Sequence, residues 1–336
     1  MSDKPVPSHP HDFAEVLGHI QQTRQHVFAQ ANTALMALYW RIGQTLSHKV
    51  AQAGWGKGVV SELAQYIAQA DPSLKGFSDK NLWRMKQFYE TYGEDEKLAP
   101  LARELPWTHN VIIFSRCKSS EERAYYLRQV ISDKLGKREL ERQIDSAHFE
   151  RSALPTKLSP AARVVQPTLG EVFKDRYVLE FLGLPEPHSE GDLQRALVQH
   201  MKAFVLELGQ DFLFVSEEFR LQVGNQDFFI DLLFYHRGLS ALVAFELKVG
   251  QFKPEHMGQL NFYLEALDRD VKKPHENPSI GVLLCRDKDD EVVEYALSRN
   301  LSPALIAQYQ LQLPDKKLLQ ARLHELLARE WGAGDA

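Results

Sequence analysis

Cysteine is scarce: the chain of 336 residues holds two, Cys117 and Cys285. Their wide separation excludes a disulfide framework and a Cys-rich zinc site. Long apolar runs are missing as well, since none approaches the ~20 residues that a membrane-spanning helix needs. The first residues, MSDKPVPSHPHDF, lack the apolar centre of a secretory signal. These absences lead us to expect a protein of the reducing cytoplasm with no membrane partner. A basic surplus is also absent. Net charge is −5, and it is uneven: residues 1–150 carry 19 Lys+Arg against 18 Asp+Glu, the remainder 21 against 27. An acidic average does not exclude nucleic acid, because bound metal ions and local basic patches dominate where they act. Low-complexity tracts and internal repeats are missing too. With 44% hydrophobic and 25% charged residues, what remains is a globular chain long enough for two domains.

The two halves of the chain have different periods. From Asp12 to Val50, apolar residues recur at three- and four-residue spacing without a proline, which predicts helix. The same pattern returns in VVSELAQYIAQAD, NLWRMKQFYETYG, NVIIFSRC, SEERAYYLRQVISDKL and KRELERQIDSAHFER, with Ser78 a good N-cap for the second of these. Residues 12–150 therefore read as an all-helical domain. Proline density then rises, at Pro155, Pro160, Pro167, Pro185 and Pro187, marking residues 151–188 as the expected linker. Residues 189–332 alternate. A helix in GDLQRALVQHMKAFVLELG precedes the strand-like FVSEEFRLQV and DFFIDLLFYH, which are joined by a tight turn at Gly224. Another strand follows at LSALVAFELKV, then a helix at PEHMGQLNFYLEALDRD and a strand at SIGVLLCR, with a late helix in DKKLLQARLHELLAREW. This order predicts a mixed central sheet flanked by helices, so the chain as a whole is α+β.

Charges in those strands stand out. Glu246 and Lys248 are two apart, on one face of a strand that is otherwise apolar. In the preceding strand Asp231 is the only acid, between Ile230 and Leu232. Burying such charges costs several kcal/mol per ion unless something compensates. The short connection makes the strands antiparallel neighbours, and an Asp–Glu pair meeting in a sheet repels itself unless a cation or a proton lies between. A hard divalent ion with oxygen ligands is the economical answer; Mg2+ (or Mn2+) keeps several waters and takes substrate phosphates as further ligands. Lys248 beside it would orient or help deprotonate an attacking water, or stabilise developing charge. Alone, a Glu-x-Lys pair is ordinarily a solvated face, and a strand-end Asp satisfies a turn. Together, in strands this apolar, they favour a site.

An Asp in one strand followed by Glu-x-Lys in the next resembles the PD-(D/E)xK nuclease superfamily. Gln259 and Tyr263, at i and i+4 on the following helix, resemble the Gln-xxx-Tyr pair of its exonuclease-like branches. More closely, DFFIDLLFYHRGLSALVAFELKVGQFKPEHMGQLNFYLEALD and ENPSIGVLLC look like the YhcG family of bacterial proteins assigned as nucleases. GFSDKNLWRMKQFYETY, LPWTHNVIIF and RELERQI resemble that family's helical N-terminal region. The resemblance runs from about residue 12 to the last helix. It implies a restriction-endonuclease-like fold, Asp231 and Glu246 as metal ligands with the Leu247 carbonyl a third, and Lys248 as the catalytic lysine. Gln259 and Tyr263 would support the scissile phosphate or the ligands beside it. The implied activity is metal-dependent hydrolysis of DNA, in recombination, repair or defence against mobile DNA. One departure matters. The superfamily often places a Glu on the helix before the first strand, and here Glu190, Asp192 and Gln194 all compete for that slot. If Gln194 fills it, a second metal is held more weakly, and a nuclease-fold scaffold that binds without cutting becomes the alternative.

Other residues carry weaker signals. Lys253, between strand and helix, suits a phosphate contact. His236 suits a turn cap better than a ligand, His256 suits solvent, and Cys285 suits the core. In the helical half, Lys80, Arg84 and Lys86 lie near the start of a second helix that a candidate helix-turn-helix would present to DNA. The competing use of these helices is homodimerisation, through the apolar seam of the segment from Asp12 to Val50.

Overall fold

The computed structural model describes residues 10–153, 156–165 and 169–321. It divides into two compact units, Met1–Ile144 and Asp145–Ala336. The first is helical throughout its described residues: α1 (Pro10–Ala53), α2 (Lys57–Ala70), α3 (Asp79–Tyr92), α4 (Leu98–Glu104), α5 (Trp107–Arg116), α6 (Ser120–Asp133) and α7 (Lys137–Asp145). The C-terminal half of α1 is buried through Met36, Tyr39 and Leu46, which pack with Val60, Leu82 and Met85. Gly43 permits this approach, because a Cβ there would lie 2.1 Å from the Met85 carbonyl oxygen. The N-terminal half leaves Phe13, Val16, Leu17, Ile20, Val27 and Phe28 exposed. Ser78 caps α3 as expected, accepting from the Asn81 N–H. The connection between α2 and α3, residues 71–78, is longer than the ~3–4-residue turn of a compact helix-turn-helix.

The second unit is a sheet between helices. Its helices are α8 (His148–Ser152), α9 (Pro160–Val165), α10 (Leu169–Val172), α11 (Glu190–Gln199), α12 (Met201–Leu208), α13 (His256–Ala266) and α14 (Asp290–Ser298). The strands are β1 (Arg176–Val178), β2 (Phe212–Val223), β3 (Gln226–His236), β4 (Ala241–Gln251), β5 (Ile280–Asp287) and β6 (Ala304–Gln310). Among the described residues they form one mixed sheet in the order β1-β6-β5-β4-β3-β2. β2, β3 and β4 are antiparallel, and β4, β5, β6 and β1 run parallel. Strand alternation splits the core. Val243, Phe245 and Leu247 of β4 face Leu193, Leu197 and Phe204 of α11 and α12; Leu242 and Ala244 face Tyr263 and Leu264 of α13. Both faces of the parallel strands are covered, which is why their sequences read as apolar runs rather than alternations.

The Pro-rich segment expected as a linker is part of this unit. Leu158, Ala162, Leu169, Phe173, Tyr177 and Leu179 lie in its main core, and β1 adds an edge strand along β6. Proline marked short helices and turns here, not a solvated tether. β6 and α14 also extend the expected order. The late helix begins near Lys316, and the rest of it lies outside the described residues, as does the end of the expected domain at 332.

Candidate nuclease site

β3 and β4 pair from His236↔Ala241 to Leu232↔Phe245 and then separate. The next residues along each strand are Asp231 and Glu246. Beyond that fork the Leu247 N–H has no ladder partner on β3; it donates instead to Asp231 Oδ2 at 2.7 Å. A strand residue presents its N–H and C=O to the same neighbour, so the Leu247 carbonyl opens toward Asp231 as well. The splayed strands thus set the Asp231 and Glu246 carboxylates and the Leu247 backbone side by side at the fork.

Glu246 is 2% exposed. Its Oε1 lies 3.0 Å from Lys248 Nζ, and its Oε2 is buried without a hydrogen-bond partner. Burial, then the charge of Asp231, push its carboxyl up to about 7. Burial likewise raises Asp231, against the pull of the Leu247 N–H and Lys248. Glu218 adds to that rise. It is bracketed in register opposite Asp231, between Glu217↔Leu232 and Phe219↔Ile230, and holds a left-handed backbone at φ 45°. For Lys248 burial opposes the charge, but Glu246 and Glu190 outweigh it and keep the ammonium above its ordinary value.

Of the three candidates on α11, Glu190 is the one in contact with Lys248. Its Oε2 lies 3.2 Å from Lys248 Nζ. Asp192 is spent in a capping box with Ser189 and pairs with Arg195. Gln194 donates its amide to the Asp231 backbone carbonyl at 3.0 Å, so it buttresses the strand that carries Asp231. Residues 190 and 194 share a helix face, and the acid is the one nearer the mouth.

On α13, Gln259 donates to the Tyr263 hydroxyl at 2.7 Å. Burial raises the Tyr263 phenol, and the charges of Glu246 and Asp231 raise it further. His256, expected in solvent, is within electrostatic reach of the site: burial and then Lys248 lower its pKa, and its Nδ1 accepts the Lys253 N–H. Lys253 itself is exposed and lies 3.7 Å from Glu255. His236 accepts the Leu239 N–H at 3.0 Å, capping the turn before β4. Cys285 is buried, its thiol pushed up to about 12 by burial. In the helical unit Lys86 is paired with Glu90 at 2.6 Å, Lys80 is exposed, and Arg84 is half-buried.

Sequence comparison shows the family of both units. The YhcG PDDEXK nuclease domain matches residues 170–324, and the DUF1016 N-terminal domain matches residues 15–151. The Escherichia coli (strain K12) protein described as "Putative nuclease YhcG" is 31% identical over 343 residues, covering 90% of each chain. The chain belongs to the YhcG family. Its second unit is accordingly a nuclease domain of the PDDEXK type on a restriction-endonuclease-like fold. Solved structures are more distant. A repair endonuclease from Pyrococcus abyssi shares 14% identity over 39% of this chain, at a TM-score of 0.26. An EndoMS–dsDNA complex shares 15% over 39%, also at 0.26. The chain spans about half the length of those two.

The donor set fits a hard divalent ion. The orphaned Glu246 Oε2 and the two raised carboxylates are the features that a bound cation would satisfy. Among the described residues, no three His, Cys, Asp or Glu side chains form a cage.

Proposed function

We propose that this YhcG-family member is a divalent-metal-dependent deoxyribonuclease. The observation that carries the reading is the fork in the sheet. Asp231 and Glu246 flank the Leu247 backbone there, Glu246 Oε2 is buried without a hydrogen-bond partner, and Lys248 lies beside them. Mg2+ or Mn2+ would be held by the two carboxylates and the Leu247 carbonyl, and bound there it supplies Lewis acidity at phosphate oxygens and a more acidic water. The chain's own groups do the rest. Lys248, kept charged by Glu246 and Glu190, holds a positive charge where the pentavalent phosphorane develops negative charge. In the reaction a water oxygen bonds to phosphorus and its proton passes to solvent, while the phosphorus–oxygen bond to the leaving nucleotide breaks and the leaving oxygen takes a proton from solvent. Gln259 holds the Tyr263 hydroxyl, and the charges of Glu246 and Asp231 act on that phenol, which supports a role in positioning the scissile phosphate. A cytoplasmic role in recombination, repair or defence against mobile DNA follows from the reading.

The preference for DNA is tested with labelled DNA and RNA incubated with Mg2+, Mn2+ or EDTA. Cleavage of DNA that requires the ion and is lost in Asp231→Asn is expected. Cleavage that survives EDTA, or an Asp231→Asn protein as active as wild type, contradicts it. The exposed seam of α1, at three- and four-residue spacing, supports self-association of the chain through that helix. Sedimentation of the wild type against Leu17→Lys/Ile20→Lys would show a dimer becoming a monomer, and two monomers would contradict it.

A further inference from the structure

His256 opens α13, three residues before Gln259 and seven before Tyr263, so the three share one stripe of that helix. Its backbone and its ring are both tied to Lys253. The His256 N–H donates to the Lys253 carbonyl at 3.0 Å, and the Lys253 N–H donates to His256 Nδ1 at 3.2 Å. The ring also meets Phe252 edge to face, with centroids 6.1 Å apart. These contacts fix the orientation of the half-buried imidazole, and they fix its tautomer. A backbone N–H only donates, so Nδ1 holds a lone pair and the ring proton sits on Nε2. An Asp or Asn at this place would accept the same N–H. What histidine adds is a second polar edge, an Nε2–H directed away from the Lys253 amide.

The ring is within reach of the charges at the fork: Lys248 and Glu190 both act on it, as do Lys253 and Glu255 beside it. Two uses are excluded by the tautomer. Metal-bound histidines donate from their second ring nitrogen; this one accepts there, so Nε2 has no lone pair for an ion. For the same reason it takes no proton from water. We infer that His256 is a further catalytic residue, whose Nε2–H donates to a non-bridging oxygen of the scissile phosphate beside Lys248. Phosphoryl transfer spreads negative charge over those oxygens, and a fixed neutral donor stabilises it without a proton changing hands. A neutral ring also suits its neighbours, because an imidazolium would repel the Lys248 ammonium and lose the bond from Lys253. The role rests on the nuclease reading; the tautomer does not.

Two substitutions separate this role from bracing the turn. His256→Asn keeps an acceptor near the Nδ1 position and removes the far donor. His256→Gln reaches the Nε2 position with an amide N–H and gives up the near acceptor. Mn2+-dependent DNA cleavage is measured for both, with melting temperature as the check on folding. Loss of one donor to a charged oxygen should lower kcat about 100-fold in His256→Asn, with KM within about threefold of wild type. His256→Gln should recover most of that loss. The reverse order, with Asn active and Gln slow, leaves His256 only its turn and overturns the inference. Where one variant fails to fold, 15N NMR of the histidine-labelled wild type in EDTA, assigned with the other variant, decides. A protonated Nε2 and a bare Nδ1 at neutral pH support the donor, and the opposite tautomer or an imidazolium overturns it. No cleavage by the wild type would sink the nuclease reading and this role with it, whereas equal cleavage by wild type and His256→Asn sinks this role alone.

Discussion

Glu246 shows how one side chain is unstable in its fold until a partner arrives. Its carboxyl, pushed up to about 7 by burial and by Asp231, is raised above its unfolded value. Such a group contributes stability in its protonated form below the ordinary carboxylate range, and that contribution is lost as pH rises to about 7. Metal-free protein should therefore melt at falling temperature across that window, and Glu246→Gln should remove this part of the slope. Scanning calorimetry of both proteins in EDTA from pH 5 to 8 checks it. In the wild type, Mn2+ at about 100-fold above its dissociation constant should restore roughly 2.7 kcal/mol, and Asp231→Asn should not respond. The carboxylates and Lys248 were legible in the sequence because each interrupts an apolar strand. Glu190 was not separable from Asp192 and Gln194, because their distinction is which turn of α11 meets the end of β4, a tertiary fact. His256 looked like solvent for the same reason: only the packing of α13 brings it near Lys248.

At the scale of elements, two glycines set helix positions by close approach. A Cβ on Gly43 would meet the Met85 carbonyl at 2.1 Å, so Gly43→Ala must push α1 from α3. Overpacking of this kind costs ~1–3 kcal/mol, and a matching loss of helical signal on heating should follow in circular dichroism. On β5 a Cβ at Gly281 would lie 2.8 Å from Leu260 Cγ. Because α13 carries Gln259 and Tyr263, Gly281→Ala should lower cleavage rates as well as stability, whereas Gly43→Ala should lower stability of the helical unit. Helices of the first unit and strands β2 to β5 were readable from their periods. β6 was harder, since a short apolar run in ALIAQYQ does not distinguish strand from buried helix. The proline-rich stretch misled because composition reports local turns; the pairing of β1 with β6, 132 residues apart by register, is invisible to it.

At the scale of the whole molecule, a buried ionic cluster secures the segment that composition marked as a tether. Arg151 and Glu207 are fully buried and paired. Arg151 also donates to the Ser146 carbonyl, Lys174 bonds the Glu207 carbonyl and contacts His148, and Glu207 accepts the Val178 N–H at 3.0 Å. Burial alone would raise the Glu207 carboxyl, but Arg151 and Lys174 hold it well below the ordinary carboxylate range. The stability it contributes is present above its unfolded pKa and lost as pH falls through the acid range. Removing its main counter-charge is costly, so Arg151→Ala should destabilise the second unit by ~3–5 kcal/mol, read by urea unfolding at pH 7. Arg151→Ala should also flatten the acid limb.

The central claim is that the fork between β3 and β4 cuts phosphodiester bonds, with Lys248 charged by its two glutamates. Initial rates of Mn2+-dependent DNA cleavage by wild type, Lys248→Ala and Glu190→Gln test it most directly. Loss of the positioned cation should lower the rate by ~100-fold or more, and Glu190→Gln should lower it to a smaller degree. A Lys248→Ala protein that cleaves at the wild-type rate would contradict the account.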